Sequence, residues 1–346
     1  MSGHLVSPAP WPVSLREELS AFRELVERHD DVYIFGHKDA DGDTLGCSLA
    51  FAEALHRRGK RVQVIIPPPR PDLYEWLPGF AGIRDEPPPD AVIDLCIFFD
   101  AGNMERSGKG TSLIGERTAV VNIDHHASNS RYGTLNLVDP DAAAVGQMCF
   151  SMLQELGWAV TPSIATCLYA AILTDTGGFR HENTDPQALA DAARLAALGA
   201  DPGDVASRIY KSRPATTVRL SALSLSSMQL ELDGRLVWTR VTRRMLHQTG
   251  AVMAEAEGII DGLNSIRGLQ AAIIFKEVAT RLTKISVRTR DDVDAAELCA
   301  RFGGGGHRRA AGAELRMPLA EAVPAVLAVA HQVIQGHDAG RRPQYR

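Results

Sequence analysis

Four short runs in the first half of the chain are apolar at nearly every position rather than at alternate ones. They are VYIF (32–35), VQVII (62–66), VIDLCIFF (92–99) and TAVVNI (118–123). A strand with one face in water alternates polar and apolar residues, so runs like these call for cover on both faces. Between the first two lies LGCSLAFAEALHRRG, rich in Leu and Ala and closed by Gly59, a residue suited to end a helix. The strand–helix–strand rhythm predicts an α/β fold around a parallel sheet. Further helices are expected over 143–156 and 163–173. From about 186 to 225 the pattern is helical and Ala-rich. Strands then resume at 235–241, 270–278 and 282–290, with helices at 294–301 and 318–334. At 346 residues there is material for two cores. The expected organisation is an N-terminal parallel-sheet domain (1–186), a helical connector (187–225) and a smaller C-terminal α/β domain (226–346).

The apolar runs end in carboxylates and imidazoles. GHKDADGDTLG follows the first and carries His37, Asp41 and Asp43. Asp100 closes the third, and Asp124-His125-His126 closes the fourth. Asp175 stands at the end of an apolar helical pattern, before Gly177 and Gly178. Open α/β sheets bind ligands at the carboxyl ends of their strands. Taken singly, each station also has an ordinary reading: an acidic helix cap, a strand-end turn, a satisfied histidine. Asp94, which lies early in its run, is assigned to structure. Asp175 would stand at the negative end of a helix dipole, an unfavourable place unless a cation compensates.

Taken together, carboxylates with a few imidazoles suit Mn²⁺ or Mg²⁺. Cys47, Cys96, Cys149, Cys167 and Cys299 form no CxxC pair and lie largely in apolar runs, so they read as buried thiols in a reducing compartment. Two divalent ions about 3.5–4 Å apart can clamp the attacking and leaving oxygens of a phosphoryl displacement. The four stations therefore read as a two-metal site. No GxGxxG follows the first strand, which argues against hydride transfer. A net charge of −5 offers no global attraction to nucleic acid, so such binding needs a local basic patch. The N-terminus lacks a secretory pattern and no apolar run of bilayer length is expected, so the location expected is cytoplasmic.

GGGGHRRAAG (303–312) is the candidate patch. A glycine run can present consecutive N–H groups to an anion. His307, Arg308 and Arg309 adjoin it and Arg288 lies upstream, which suggests a phosphate and sugar clamp. His4, His29, His56 and His247 are expected at the surface.

HKDADGD, the Asp100 strand end, DHH and TDTGGF follow in the order and spacing of the DHH phosphoesterase superfamily, and GGGGHRRAAG resembles the glycine-rich motif of its C-terminal associated domain. The chain is most similar to the compact two-domain nanoRNase subgroup. The resemblance implies that His37 and Asp41 hold one metal, that Asp43, His125 and Asp175 hold the other, and that Asp100 touches both. It places His126 beside the scissile phosphate and has Asp124 orient a ligand histidine. It implies two divalent cations, manganese with magnesium as the alternative, and a water between them as nucleophile. Arg106 becomes a second phosphate ligand. By residue type Phe179 and His181 are candidate base-stacking residues, with plain core an equal reading of Phe179. Arg288, Gly305, Gly306 and His307 would grip a terminal nucleotide, favouring very short RNAs.

The activity implied is hydrolysis of very short oligoribonucleotides to mononucleotides, with removal of the 3′-phosphate of 3′-phosphoadenosine 5′-phosphate (pAp) and cleavage of di-adenosine phosphates beside it. A single-strand DNA exonuclease of the repair type and a manganese-dependent inorganic pyrophosphatase are the alternatives. The latter is disfavoured by the C-terminal motif. Expected partners are short single-stranded RNA or DNA, nucleotides and a second copy of the chain, but no membrane.

Overall fold

The apolar runs become neighbouring strands. In the computed structural model β1 (Asp31–Phe35), β2 (Arg61–Ile65), β3 (Leu95–Phe99), β4 (Ala119–Asp124) and β5 (Leu135–Val138) form one sheet in the order β2-β1-β3-β4-β5, parallel throughout. Residues 11–290 and 293–340 are described, apart from the side chains of Val13, His307 and residues 337–340.

The third run is shorter than expected. Strand β3 starts at Leu95: Val92 and Asp94 ahead of it are exposed, and from Leu95 to Phe99 every residue is buried. Asp94 is exposed and its carbonyl accepts from Ala119 N at 2.8 Å. Strand β5 escaped the sequence reading, having only four residues with Asn136 among them. Helix α1 (Arg16–Arg28) also escaped it, although the buried Leu19, Phe22 and Val26 follow helical spacing.

Helix α2 (Gly42–His56) packs on β1, β2 and β3, and α3 (Val145–Glu155) and α4 (Pro162–Asp175) pack against α2 in the same core. Helices α2 and α4 meet closely at Gly46, where a Cβ would stand 2.4 Å from Cys167 O. Two further helices, α5 (Pro186–Ala197) and α6 (Pro202–Tyr210), join the same core through Ala188, Leu195, Val205 and Ile209. The chain divides into two compact units after Ser212. The stretch 187–225 is thus shared between them, its last helix, α7 (Ala215–Ser226), packing in the second unit through Leu220.

The second unit has a mixed sheet. Its strands are β6 (Gln229–Glu231), β7 (Leu236–Val241), β8 (Ala271–Ala279), β9 (Leu282–Thr289), β10 (Gly305–His307) and β11 (Ala310–Leu315), in the order β10-β11-β9-β8-β7-β6. Only β7 and β8 run parallel to one another. Alternate residues of β8 face opposite sides. Ile273 and Phe275 meet α10 (Ala295–Ala300) and α11 (Leu319–Gly340), while Ala272 and Ile274 join the cluster of α7 and α9 (Ile259–Asn264). A short helix, α8 (Arg243–Thr249), follows β7.

The glycine run enters an edge strand, where Gly305 and Gly306 pair with Gly312 and Ala311 in an antiparallel ladder. Residue 306 must be glycine because a Cβ there would stand 2.5 Å from Ala310 O, and its φ is +143°. One expectation, that no apolar run reaches bilayer length, is corrected: Leu319–Gly336 is long and apolar enough to cross a bilayer by length and composition. One stripe of it, Ala322, Val326, Ala330 and Ile334, lies in the core of the second unit.

Candidate metal centre

The strand order reverses between β1 and β3, so the segments leaving these neighbours diverge and open a crevice at their carboxyl ends. His37 lies two residues beyond β1, and Asp100 directly follows β3. Asp124 ends β4 next door, and Asp100 N donates to Ile123 O at 3.0 Å. Helix α4 brings Asp175 in from its last residue.

Asp100 is the centre of the arrangement. It is buried, with Oδ2 3.6 Å from His37 Nε2 and Oδ1 3.8 Å from His125 Nε2. His125 Nε2 is in turn 3.6 Å from Asp175 Oδ2. Among the described residues three groups have potential ligand atoms within 4.8 Å of one another: His37, Asp41 and Asp100; Asp43, His125 and Asp175; Asp100, His125 and His126.

The imidazoles are oriented by hydrogen bonds at their far nitrogens. His37 Nδ1 donates to Lys38 O at 2.7 Å and His125 Nδ1 to Ala142 O at 3.0 Å, so both Nε2 atoms turn inward toward the carboxylates, where a cation could replace their protons. His126 differs. Its Nδ1 donates to Asp124 Oδ1 at 2.7 Å, a side-chain partner where His37 and His125 have backbone carbonyls. Asp124 also accepts from the backbone N–H of both histidines, and the ring it orients is that of His126.

The carboxylates are held as firmly. Asp41 caps α2, its Oδ1 accepting from Asp43 N at 3.1 Å and Thr44 N at 3.0 Å. Asp43 meets the N-terminus of α3, accepting from Val145 N at 2.7 Å and Gly146 N at 2.8 Å, and Cys47 Sγ donates to it at 3.2 Å. Asp124 is fully buried. It accepts from His125 N and His126 N, and Asn129 Nδ2 donates to its other oxygen.

Burial raises the Asp43 carboxyl to about 7, reinforced by the charge of Asp100. Burial and the charge of Asp43 raise Asp175 to about 8. Burial works against the His125 imidazolium, yet Asp175, Asp43 and Asp100 outweigh it and lift the pKa to about 9. For Asp100, burial is outweighed by hydrogen bonding to His37 and by the nearby histidines, and its pKa is lowered.

These residues fit divalent cations. Two atoms bound to one ion at about 2.1 Å stand about 3.0 Å apart when adjacent and about 4.2 Å when opposite. The 3.6 and 3.8 Å separations around Asp100 and His125 fall between those limits. Buried carboxylates raised by one another's charge are what a cation would relieve.

Of the other expected residues, Arg106 is at the site, its guanidinium 3.4 Å from His37 Nδ1 and its carbonyl accepting from Lys38 N. His181 Nδ1 is 3.2 Å from Asp175 O. Phe179 has a φ of +61° and packs on the first core. Arg288 lies half-buried on β9, paired in register with Ala310. Gly305 and Gly306 are exposed on β10. The side chain of His307, and His4 as a whole, lie outside the described residues. His56 and His247 are exposed, and His29 is half-buried with Nδ1 2.8 Å from Leu25 O.

The sequence reading missed Thr44, Asn129 and Asn183. Asn183 Nδ2 donates to Ala143 O at 2.8 Å and to Asp175 O at 3.3 Å. Asn129 was visible only as the end of DHHASN, and no periodicity marks a loop residue whose partner is a side chain.

Comparison with known proteins agrees with this geometry. The model of the DHH family, N-terminal domain, matches residues 31–172, and that of the DHHA1 domain matches residues 235–336. A bifunctional oligoribonuclease and PAP phosphatase NrnA of Thermus thermophilus is 33% identical over 91% of this chain and 92% of its own. Its namesake from Bacillus subtilis is 24% identical over 84% of this chain and 91% of its own. Among solved structures, an exopolyphosphatase-related protein from Bacteroides fragilis shares the fold with a TM-score of 0.84, at 24% identity over 93% of this chain and 96% of that one. With both domains matched in order and a 33% identical relative aligned along nearly its whole length, the chain belongs to the DHH family.

Proposed function

We propose that this protein hydrolyses very short oligoribonucleotides to mononucleotides and removes the 3′-phosphate of pAp, using two divalent cations, manganese in the first instance. The observation that carries the reading is Asp100, one buried carboxylate with an oxygen toward His37 and the other toward His125. The names of the two NrnA relatives support the choice of substrates.

His37 and Asp41 would hold one cation, Asp43, His125 and Asp175 the other, and Asp100 both. Bound there, the pair supplies neutralisation of phosphoryl charge and a water acidified toward neutral pH. The chain's own groups do the rest. With Nδ1 committed to Asp124, His126 exchanges a proton with a substrate oxygen through Nε2. Arg106 neutralises phosphate beside His37. In the second unit Arg288, Gly305, Gly306 and His307 bind the terminal phosphate and sugar, a role supported by the bare edge strand that the glycines form. The five free, buried cysteines support a reducing, cytoplasmic setting.

The test is a set of initial rates with Mn²⁺ on a 5′-labelled RNA dinucleotide, pAp, a di-adenosine phosphate and a long single-stranded DNA, with Asp100→Ala as control. Dinucleotide and pAp turnover above that of the long strand, lost in the variant, is expected. Preference for the long strand would point to a repair-type exonuclease. Activity surviving in Asp100→Ala would overturn the shared-ligand assignment.

A further inference from the structure

We propose that Thr44 is a positioning residue for Asp100, a role that rests on the metal-centre reading above. Thr44 Oγ1 donates to Asp100 Oδ2 at 2.8 Å, and both residues are buried. The backbone N–H of the same residue donates to Asp41 Oδ1 at 3.0 Å. Thr44 thus touches two members of the group formed by His37, Asp41 and Asp100, yet is not itself one of the three.

Asp100 needs such a partner. Its φ of +56° puts the backbone in the left-handed region, which side chains other than glycine adopt at a cost. Its carboxylate lies between imidazoles on two sides, at 3.6 and 3.8 Å. Donation from Thr44 selects one orientation, with Oδ2 toward His37 and Oδ1 toward His125 and His126. Without it the carboxylate can turn and serve one group at the expense of the other.

The direction of the hydroxyl is itself held. The Thr44 methyl fills a notch over Gly36, where a Cβ would stand 2.7 Å from Thr44 Cγ2 and 2.9 Å from Ile66 Cγ1. A β-branched side chain on a helix has few rotamers open to it. With its methyl seated on Gly36, the hydroxyl points at Asp100.

The experiment is calorimetric titration of Mn²⁺ into the full chain stripped with EDTA, comparing wild type, Thr44→Val, Thr44→Ser and Gly36→Ala, with steady-state kinetics alongside. Thr44→Val keeps the shape and loses the hydroxyl. It should weaken Mn²⁺ binding roughly 10–100-fold, in the range seen when groups that orient metal ligands are removed, and lower kcat more than it raises KM. Thr44→Ser should recover most of the affinity. Gly36→Ala keeps the hydroxyl but displaces the methyl, and should weaken binding as well.

Wild-type affinity in folded Thr44→Val overturns the role while leaving the metal centre intact. Should Thr44→Val fail to fold, Gly36→Ala decides: unchanged affinity overturns the role and a tenfold or greater loss supports it. Wild-type protein that takes up no Mn²⁺ overturns the metal-centre reading and this role with it.

Discussion

His126 donates through Nδ1 to Asp124 at 2.7 Å, whereas its neighbour His125 donates through Nδ1 to the backbone of Ala142 at 3.0 Å. Adjacent residues leaving a strand point in different directions, and here the difference divides their work. His125 presents Nε2 to Asp100 and Asp175, and His126 is tied to a buried carboxylate.

Asp124→Asn should therefore impair turnover more than metal binding. An amide in place of the carboxylate removes the charge that favours imidazolium and can present an N–H to His126 Nδ1, which favours the wrong tautomer. A loss of about 10²–10⁴ in kcat is expected, by analogy with other carboxylate–histidine pairs. Calorimetric Mn²⁺ affinity should stay within a few-fold of wild type. A large drop in affinity with kcat preserved would place Asp124 among the metal supports instead.

Stability of the metal-free protein should fall as pH rises. Asp43 and Asp175 are raised from 3.8 to about 7 and about 8, and His125 from 6.5 to about 9. Each group binds its proton more tightly folded than unfolded. The stabilisation is complete below the unfolded values and is lost as pH rises through the folded ones, so all three act in the same direction. Melting temperatures of EDTA-stripped protein should decline between about pH 4, where the two carboxyls begin to ionise in the unfolded chain, and about pH 9, and Mn²⁺ should cancel the decline while releasing protons. A flat metal-free profile would contradict the charge arrangement.

Gly46→Ala should be costly despite the small change. The added carbon would stand 2.4 Å from the Cys167 carbonyl where α2 and α4 cross, and backbone cannot rotate aside. Overpacking of this kind costs about 1–3 kcal/mol. Urea unfolding midpoints of the two proteins measure it, and equal midpoints would mean that the helices separate freely.

Arg288→Ala should raise KM for short RNA roughly 10–100-fold, the loss expected for a hydrogen bond to a charged group. Mn²⁺ affinity should not change, because the substitution lies in the second unit and the residues proposed as ligands lie in the first. Arg288→Lys should recover only part, since an ammonium lacks the planar fork. If KM is unmoved in both variants, Arg288 does not hold substrate.

Much of this protein was legible one residue at a time. Unbroken apolar runs mark strands covered on both faces, and carboxylates or imidazoles closing them mark a site at the carboxyl edge. These are local properties of composition and period. That the glycine run enters a strand was not legible, for a related reason. Gly305 and Gly306 lack any strand propensity of their own, and only pairing with Gly312 and Ala311 makes them β10.

Tertiary structure decided the rest, because the deciding contacts join residues far apart in the chain. Thr44 meets Asp100 across 56 positions, and Asp43 meets Val145 and Gly146 across 102 and 103. Such pairs exist only once β1 has been laid beside β3 and α3 has been aimed at the crevice. By itself the sequence determined which chemistry was available, since a carboxylate or an imidazole keeps its character wherever it lies. Which oxygen faces which nitrogen, and which histidine answers to Asp124, depended on packing, since a hydrogen bond is decided by tenths of an ångström and no local pattern carries that.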